Sequence, residues 1–535
     1  MTAGVIAAGD KETAAAGAEM LRAGGNAMDA AVAAAFASFI AEAGVVHLGG
    51  SGIAQLYDAR TGFSRVYDFF SVMPGLGGAP AHLDFAEVTI DFGSATQRFH
   101  LGRGSVAVPG NVVGLCRLAA DYGRLPLPVL LEPALRLARD GVALAPFQAD
   151  TCQLLAPLYT HTEGIRRVFA PAGHVIRPGE RLFIPDLAET LAALAQEGEA
   201  YARAGRLARA LLDDQAARGG LLTTADLEAY EVLRPAPIRL VYRGYEVLLP
   251  PLCSAGGVLT AFTLLLLSAF DVAARPHGSA AHLQLLYEAQ AATTRAREHW
   301  EEWVDTLPGD EAMARFLDER FVAGYREEMR AALADRRPSA VAAEPPGPSN
   351  TSHLSVMDGD GLAVGLTTTA GESAGYVVPG TGYIPNNMLG EEDLHPRGFH
   401  TRPAGQRIPT MMTPLIVLDR GRPCLVVGSG GSVRIRSAIL QTLSNLLDYR
   451  LPLDEAVNRC RVHLADGVLH CEAGYDARAV DELEGMGYRV NRWGARSIYF
   501  GGAHSVAYSG ARGEDGRLHA AGDNRRGGAV AEVSS

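Results

Sequence analysis

The sequence predicts a layered α/β protein in which helices cover antiparallel sheets. Three observations carry that expectation. Apolar helices open the chain, helices fill most of its middle, and short strands dominate after residue 351. A helix that is apolar all round has to lie centrally, with other layers built against it. With 535 residues, 48% of them hydrophobic and 20% charged, the chain can bury a sizeable core.

The elements follow in order. Gly4 to Ala8 is a short apolar strand, and Asp10 caps a helix from Lys11 to Ala23 that stops at Gly24-Gly25. Asn26 starts a second helix, almost all alanine, valine and phenylalanine, that ends at Ile40. The glycine loop Leu48 to Gly52 feeds a strand from Ile53 to Tyr57, and Ser64 to Phe70 is the next. A helical region runs from Asn111 to Glu228, broken at its proline clusters, and Ile238 to Leu249 alternates as one strand. Helices resume from Gly257 to Ala334. The apolar run Gly256 to Phe270 is too short for a bilayer and reads as a buried helix.

Past residue 351 the reading is mostly strand. Ser352 to Asp358 and Leu362 to Thr369 form a hairpin around Asp358-Gly359-Asp360-Gly361, residues that tolerate a tight turn. Strands at Leu415 to Asp419 and Leu425 to Val427 lead into Gly428-Ser429-Gly430-Gly431-Ser432, then helices from Val433 to Leu447 and Leu453 to Cys460. Val462 to His470, Ser497 to Phe500 and His504 to Tyr508 alternate like strands.

Composition narrows the function. A net charge of −12 argues against a nucleic-acid partner. Six scattered cysteines, without C-x-x-C spacing, imply no zinc site and no disulfide framework, and no cofactor is expected. Whether Asp515 or Asp523 binds a structural ion stays open. The N-terminus has no basic region followed by an apolar core, so a cytoplasmic location and no membrane contact are expected.

Chemistry concentrates at Thr351. Pro345, Pro346, Gly347 and Pro348 make an extended lead-in, and the threonine sits where this lead-in meets the hairpin. If the chain is cut before Thr351, that residue carries a hydroxyl nucleophile and a free α-amine. An α-amine titrates at about 7.7–8.0 in model compounds, so it can serve as base for its own hydroxyl. A linker followed by an ordinary hairpin is the plain alternative. The Gly428 to Ser432 run reads as a tight turn, as a poor dinucleotide loop that lacks the third glycine of G-x-G-x-x-G, or as a set of oxyanion donors.

Six collinear blocks resemble the γ-glutamyltransferase family of N-terminal-nucleophile hydrolases. They are Gly24 to Ala33, Thr351-Ser352-His353-Leu354-Ser355-Val356, Ala363 to Thr369, Asn386-Asn387-Met388, Gly428 to Ile435 with Leu440 to Leu443, and Ala521 to Arg526. The resemblance implies a four-layer αββα sandwich formed from one autoprocessed precursor. Cleavage between Asn350 and Thr351 would give a helix-rich large subunit, residues 1–350, and a small subunit, 351–535, carrying the nucleophile. It also implies that Thr351 attacks a small-molecule amide and forms an acyl-enzyme, that Thr369 holds the Thr351 rotamer, and that the N–H groups of Gly431 and Ser432 form the oxyanion hole. A β-branched strand residue remains the plain reading of Thr369.

The substrate side departs from the family pattern. Phe70 stands where an arginine is expected, Gly371 follows Ala370 where an asparagine is expected, and Met388 replaces a glutamine. Thr410-Met411 replaces a paired serine, and Glu391 takes the place of the aspartate that would hold an α-amine. Losing a guanidinium that faces a carboxylate removes a charge-assisted bidentate bond. Arg65, Arg402 or Arg407 could supply an anion contact from another direction. The expected activity is therefore amide (acyl) hydrolysis or transfer on a group other than γ-glutamyl. Alternatives are a true γ-glutamyltransferase with a rebuilt pocket, a C–C or acyl-group hydrolase of secondary metabolism, and an unprocessed binding homologue.

Overall fold

A computed structural model describes residues 1–535 except 92–95, 253, 343–349, 396, 513–515 and 535. The lead-in Pro345 to Pro348 and Asp515 lie outside the described residues. Two six-stranded antiparallel sheets stack face to face. Their strands are β1 (Gly4–Ala8), β2 (Ser51–Asp58), β3 (Phe63–Phe69), β4 (Ile238–Tyr242), β5 (Tyr245–Leu249) and β6 (Ser352–Asp358). Then come β7 (Leu362–Thr369), β8 (Leu415–Asp419), β9 (Arg422–Gly430), β10 (Gly502–Tyr508), β11 (Leu518–Ala521) and β12 (Ala529–Val533). The first sheet runs β12-β1-β6-β7-β2-β3 and the second β11-β10-β9-β8-β5-β4.

Strand periodicity fixes the layers. In β1, Val5 and Ala7 enter the seam between the sheets, while Ile6 and Ala8 turn outward to a helical core. In β8, Ile416 and Leu418 enter the same seam, and Leu415 and Val417 face a second helical core. Both faces are buried, so these strands read as apolar runs. Helices α1 (Lys11–Arg22) and α2 (Ala27–Ala41) cover the first sheet; α3 (Ala255–Leu267), with α4 (Ala280–Thr306) packed on its outer side, and α5 (Arg434–Leu447) cover the second. The αββα sandwich expected from the sequence is the fold observed. Among the described residues no helix is long and apolar enough to cross a membrane.

The helix signals act as read. Asp10 accepts from the Glu12 N–H at 2.8 Å. Asn26 and Asp29 form a reciprocal capping box, and all 15 residues of α2 are buried. Elsewhere the structure corrects the sequence reading. Ile238 to Leu249 is a hairpin, not one strand, because Arg243 (φ 54°) and Gly244 (φ 85°) adopt the left-handed turn geometry. Ser497 to Phe500 holds a 3₁₀ turn over Ile498–Phe500, capped by Ser497 Oγ, which accepts from the Tyr499 N–H at 3.2 Å. Ala86–Asp91 and Thr96–Leu101 pair as a hairpin that the sequence did not announce. The strand expected at Leu425 to Val427 extends to Gly430, so Gly428 belongs to the β9–β10 ladder and not to a loop. The His353 ring crosses the seam there, and a Cβ on Gly428 would stand 2.4 Å from it. Strands from before and after residue 350 share both sheets, with β6 and β7 inserted between β1 and β2.

Candidate active site

Thr351 heads β6 at the middle of the first sheet, 3% exposed, with Asn350 at 8%. Thr369, the last residue of β7, donates its hydroxyl to the Asn350 carbonyl at 2.5 Å and accepts from the Gly371 N–H at 3.0 Å. Its position at the strand end gives it a polar task at the 350–351 peptide in addition to its β-branched fit.

A buried carboxyl stands on each side of that peptide. Glu372 accepts from the Asn350 N–H at 3.0 Å and from its carboxamide at 2.7 Å. Glu42, just past α2, accepts from the hydroxyls of Ser352 at 2.6 Å and Thr13 at 2.7 Å. Burial pushes Glu42 up to about 7 and Glu372 up to about 8, while the hydrogen bonds they accept pull the other way.

The glycine run lies on the other side of Thr351. The Thr351 carbonyl packs so closely on Gly430 that a Cβ there would be 2.0 Å away, and it accepts from Arg526 Nη1 at 3.3 Å. Gly431 has φ 124° and Ser432 φ 50°. A serine in the left-handed region carries strain; here its Oγ donates to Asp393 at 2.6 Å, which offsets it. Helix α5 begins two residues later. The Asn350 carbonyl, by contrast, bonds to the Thr369 hydroxyl. Behind the loop, Asp523 pairs with Arg461 at 2.7 Å and Arg525 at 3.1 Å and accepts from the Ala503 N–H at 2.9 Å. Burial opposes its charge, but the two guanidinium groups hold its carboxyl well below the usual range.

His353, two residues from the nucleophile, is a packing residue. Its ring nitrogens bond Thr367 Oγ at 2.8 Å and Ser355 Oγ at 2.9 Å, and burial keeps its pKa well below the ordinary value.

The six residues assigned to the substrate side divide. Gly371 sits beside Thr369 and against Glu391, whose Oε1 is 2.3 Å from where a Cβ would stand. Thr410 and Met411 line a cleft of about 540 Å³ that also includes Asp393, Val433, Trp300 and Arg402. Phe70 and Met388 lie in neither place; both are in the apolar cluster under α3 and α5. Of the three candidate arginines, Arg65 donates to the Arg234 carbonyl at 3.3 Å. Arg407 pairs with Asp68 at 3.4 Å and donates to the carbonyls of Phe70 and Glu231. Arg402 is half-buried in the cleft wall, and among the described residues no carboxylate lies within ion-pair distance.

Sequence reasoning missed Glu42, Glu372 and Asp393. Nothing in the string Gly371-Glu372-Ser373 marks a functional carboxyl. Its role appears only when the chain folds back onto Asn350, 22 residues earlier.

The family described as gamma-glutamyltranspeptidase matches residues 13–533. The chain is 34% identical to the acylase ACY 1 proenzyme of Pseudomonas sp. (strain V22), across 95% of this chain and 90% of that protein. It is 30% identical to the glutathione hydrolase proenzyme of Escherichia coli (strain K12), across 98% and 90%. Its fold superposes on the cephalosporin acylase of Bacillus halodurans with a TM-score of 0.83 at 23% identity, covering 100% of this chain and 96% of that one. With that match across nearly its whole length, the chain belongs to the gamma-glutamyltranspeptidase family of N-terminal-nucleophile hydrolases and is an enzyme of its amidohydrolase and acyltransferase type.

Proposed function

We propose that the chain cuts itself between Asn350 and Thr351, and that mature Thr351 then hydrolyses or transfers an acyl group from a small amide other than a γ-glutamyl compound. One observation carries the first half: the Thr369 hydroxyl sits 2.5 Å from the carbonyl oxygen of the peptide to be cut. In self-cleavage the Thr351 Oγ gives up its proton and attacks the Asn350 carbon. Negative charge develops on the carbonyl oxygen that Thr369 already holds. The bond to the Thr351 nitrogen breaks, the nitrogen takes the proton, and an ester is left. Water splits the ester into an Asn350 carboxylate and a free Thr351 hydroxyl beside its new α-amine. The same hydroxyl then attacks a substrate amide, releases the amine, and passes the acyl group to water or to another amine. The pieces share both sheets, so the cut would leave the fold assembled.

The substrate half rests on Phe70. Where a guanidinium would meet an α-carboxylate, a phenyl ring lies in an apolar cluster, and Arg407 is already engaged by Asp68 and two backbone carbonyls. That supports the activity named for the acylase relative over that named for the glutathione hydrolase relative. Arg402 leaves the cleft able to take an acyl group ending in a carboxylate, such as glutaryl. The test is N-terminal sequencing of the smaller fragment, expected to begin Thr351-Ser352-His353, followed by turnover of γ-glutamyl, glutaryl and simple acyl anilides. A single full-length band on a denaturing gel overturns the reading.

A further inference from the structure

Self-cleavage requires the Asn350 carbonyl to be fixed in front of the Thr351 hydroxyl; Thr369 holds the oxygen, and one further side chain holds the rest of that residue. Both carboxyl oxygens of Glu372 go to a single residue: Oε1 to the Asn350 N–H at 3.0 Å, Oε2 to its carboxamide Nδ2 at 2.7 Å. Glu372 is 3% exposed, and its own backbone is pinned, since its N–H donates to Asn387 Oδ1 at 2.7 Å. Across the site Arg526 and Asp393 are the charged groups that act on it. A carboxylate that receives two parallel N–H groups reads geometry as well as charge. Of asparagine, glutamine, alanine and aspartate, only asparagine offers a backbone donor and a side-chain amide donor at that spacing. Glutamine carries its amide one methylene further out, alanine lacks it, and aspartate replaces the donor with an acceptor.

We propose that Glu372 selects asparagine at the cleavage position and presents its carbonyl to Thr351. The inference rests on the autoprocessing reading given above. Glu372 is a positioning residue, since it touches the flank of the reacting peptide and not the reacting atoms. Glu42 does the corresponding work on the far side by holding Ser352, so the peptide is suspended between two buried acceptors.

The test swaps the polarity of the pair. Maturation is followed by intact mass at about pH 9, above the value of about 8 to which burial raises Glu372, in the full-length wild type, Asn350→Asp, Glu372→Gln and the double variant. Asn350→Asp sets two carboxylates face to face and should slow cleavage by roughly 30-fold or more. Glu372→Gln alone should slow it by less than about 5-fold, because the Asn350 amide can turn over and still meet both groups of the glutamine. The double variant restores donor to acceptor and should mature within about 3-fold of Glu372→Gln alone. If Asn350→Asp proves insoluble, the double variant is compared with Glu372→Gln and the same near-equality is expected. A merely structural role does not produce rescue by the second substitution. Wild-type cleavage before Thr351 combined with an unrescued double variant, or with Asn350→Asp at the wild-type rate, overturns the assignment of Glu372 alone. A wild-type chain that never cleaves overturns the autoprocessing reading, and this inference with it.

Discussion

The hairpin that carries Thr351 and the segment that carries Phe70 belong to the same sheet, and they are built from opposite materials. At the Thr351 end of the hairpin the side chains are polar and partnered: Asn350 on Glu372, Ser352 on Glu42, Thr369 on the Asn350 carbonyl, and His353 between Thr367 and Ser355. Past the end of β3 the side chains of Phe70, Met388 and Met412 join one apolar cluster, and these three residues make their polar bonds through the backbone alone. Buried hydrogen-bonded groups tolerate little change, because removing one partner strands the other. An apolar wall can be repacked at modest cost as long as volume is kept. Under the function proposed above, the difference means that the bond-making machinery and the substrate contacts are separable in this fold, the first kept and the second rebuilt.

The sharpest break of that comparison is on the polar side. Thr351→Ala removes the only atom able to attack in either reaction as proposed, so one full-length chain and no amide turnover are expected by gel and by assay. A cleaved Thr351→Ala chain would move the nucleophile elsewhere. Thr369→Val keeps the β-branched shape but deletes the hydroxyl on the Asn350 carbonyl and leaves the Gly371 N–H without its acceptor. Maturation should slow by about 10²–10³-fold, the usual range for losing one oxyanion donor. An unchanged rate would reduce Thr369 to a strand residue.

The apolar side is tested by substrate. With Phe70 packed in the core, no guanidinium reaches the site from this position, and a free α-carboxylate bound there loses its hydration without that partner, at roughly 1–3 kcal/mol or more. That corresponds to about one to two orders of magnitude in kcat/KM between a γ-glutamyl anilide and its glutaryl or simple acyl counterpart. Phe70→Arg should recover little of it, because Met388 and Gly371 also stand where polar groups are expected. Fast turnover of the γ-glutamyl anilide by the unmodified enzyme would mean that the carboxylate is held by another residue, with Arg402 the first to examine by substitution.

The sequence showed the layers better than it showed the site. The strand Gly4 to Ala8, the hairpin through Asp358-Gly359-Asp360-Gly361 and the α2 cap were legible because each rests on local rules: apolar runs, turn residues, a capping side chain. The longer reach of β9 was not, since glycines next to a strand read as a loop until the His353 ring explains why no Cβ fits at Gly428. Thr351 and Thr369 were legible through motif blocks. Glu42 and Glu372 were not, because what makes them matter is a contact over 310 residues in one case and a return loop in the other. Phe70 shows the opposite limit. Its substitution was visible in the string, but only packing shows that it joins a core in place of lining the cleft.

The last test separates the two regions by pH instead of by rate. Glu42 titrates near 4.5 in an unfolded chain and near 7 in the fold, chiefly because burial disfavours its charge. Between those values the folded chain holds a proton that the unfolded chain has released, so the stability tied to this proton is complete below about 4.5. It is lost as pH rises through about 7, and the loss amounts to roughly 3 kcal/mol. Asp10, which burial raises to about 6 and which acts on Glu42, slopes the same way, so the contribution of Glu42 has to be read as a difference between variants. Glu42→Gln keeps a group that can bond the Ser352 and Thr13 hydroxyls but cannot ionise. Relative to the wild type its melting temperature should be higher at pH 8 than at pH 5. Phe70→Leu, on the apolar side, should lower the melting temperature by the same amount at both pH values, because nothing it removes titrates. A Glu42→Gln difference that is flat across this range would show that Glu42 stays charged in the fold, and the two sides would then differ in polarity without differing in their response to pH.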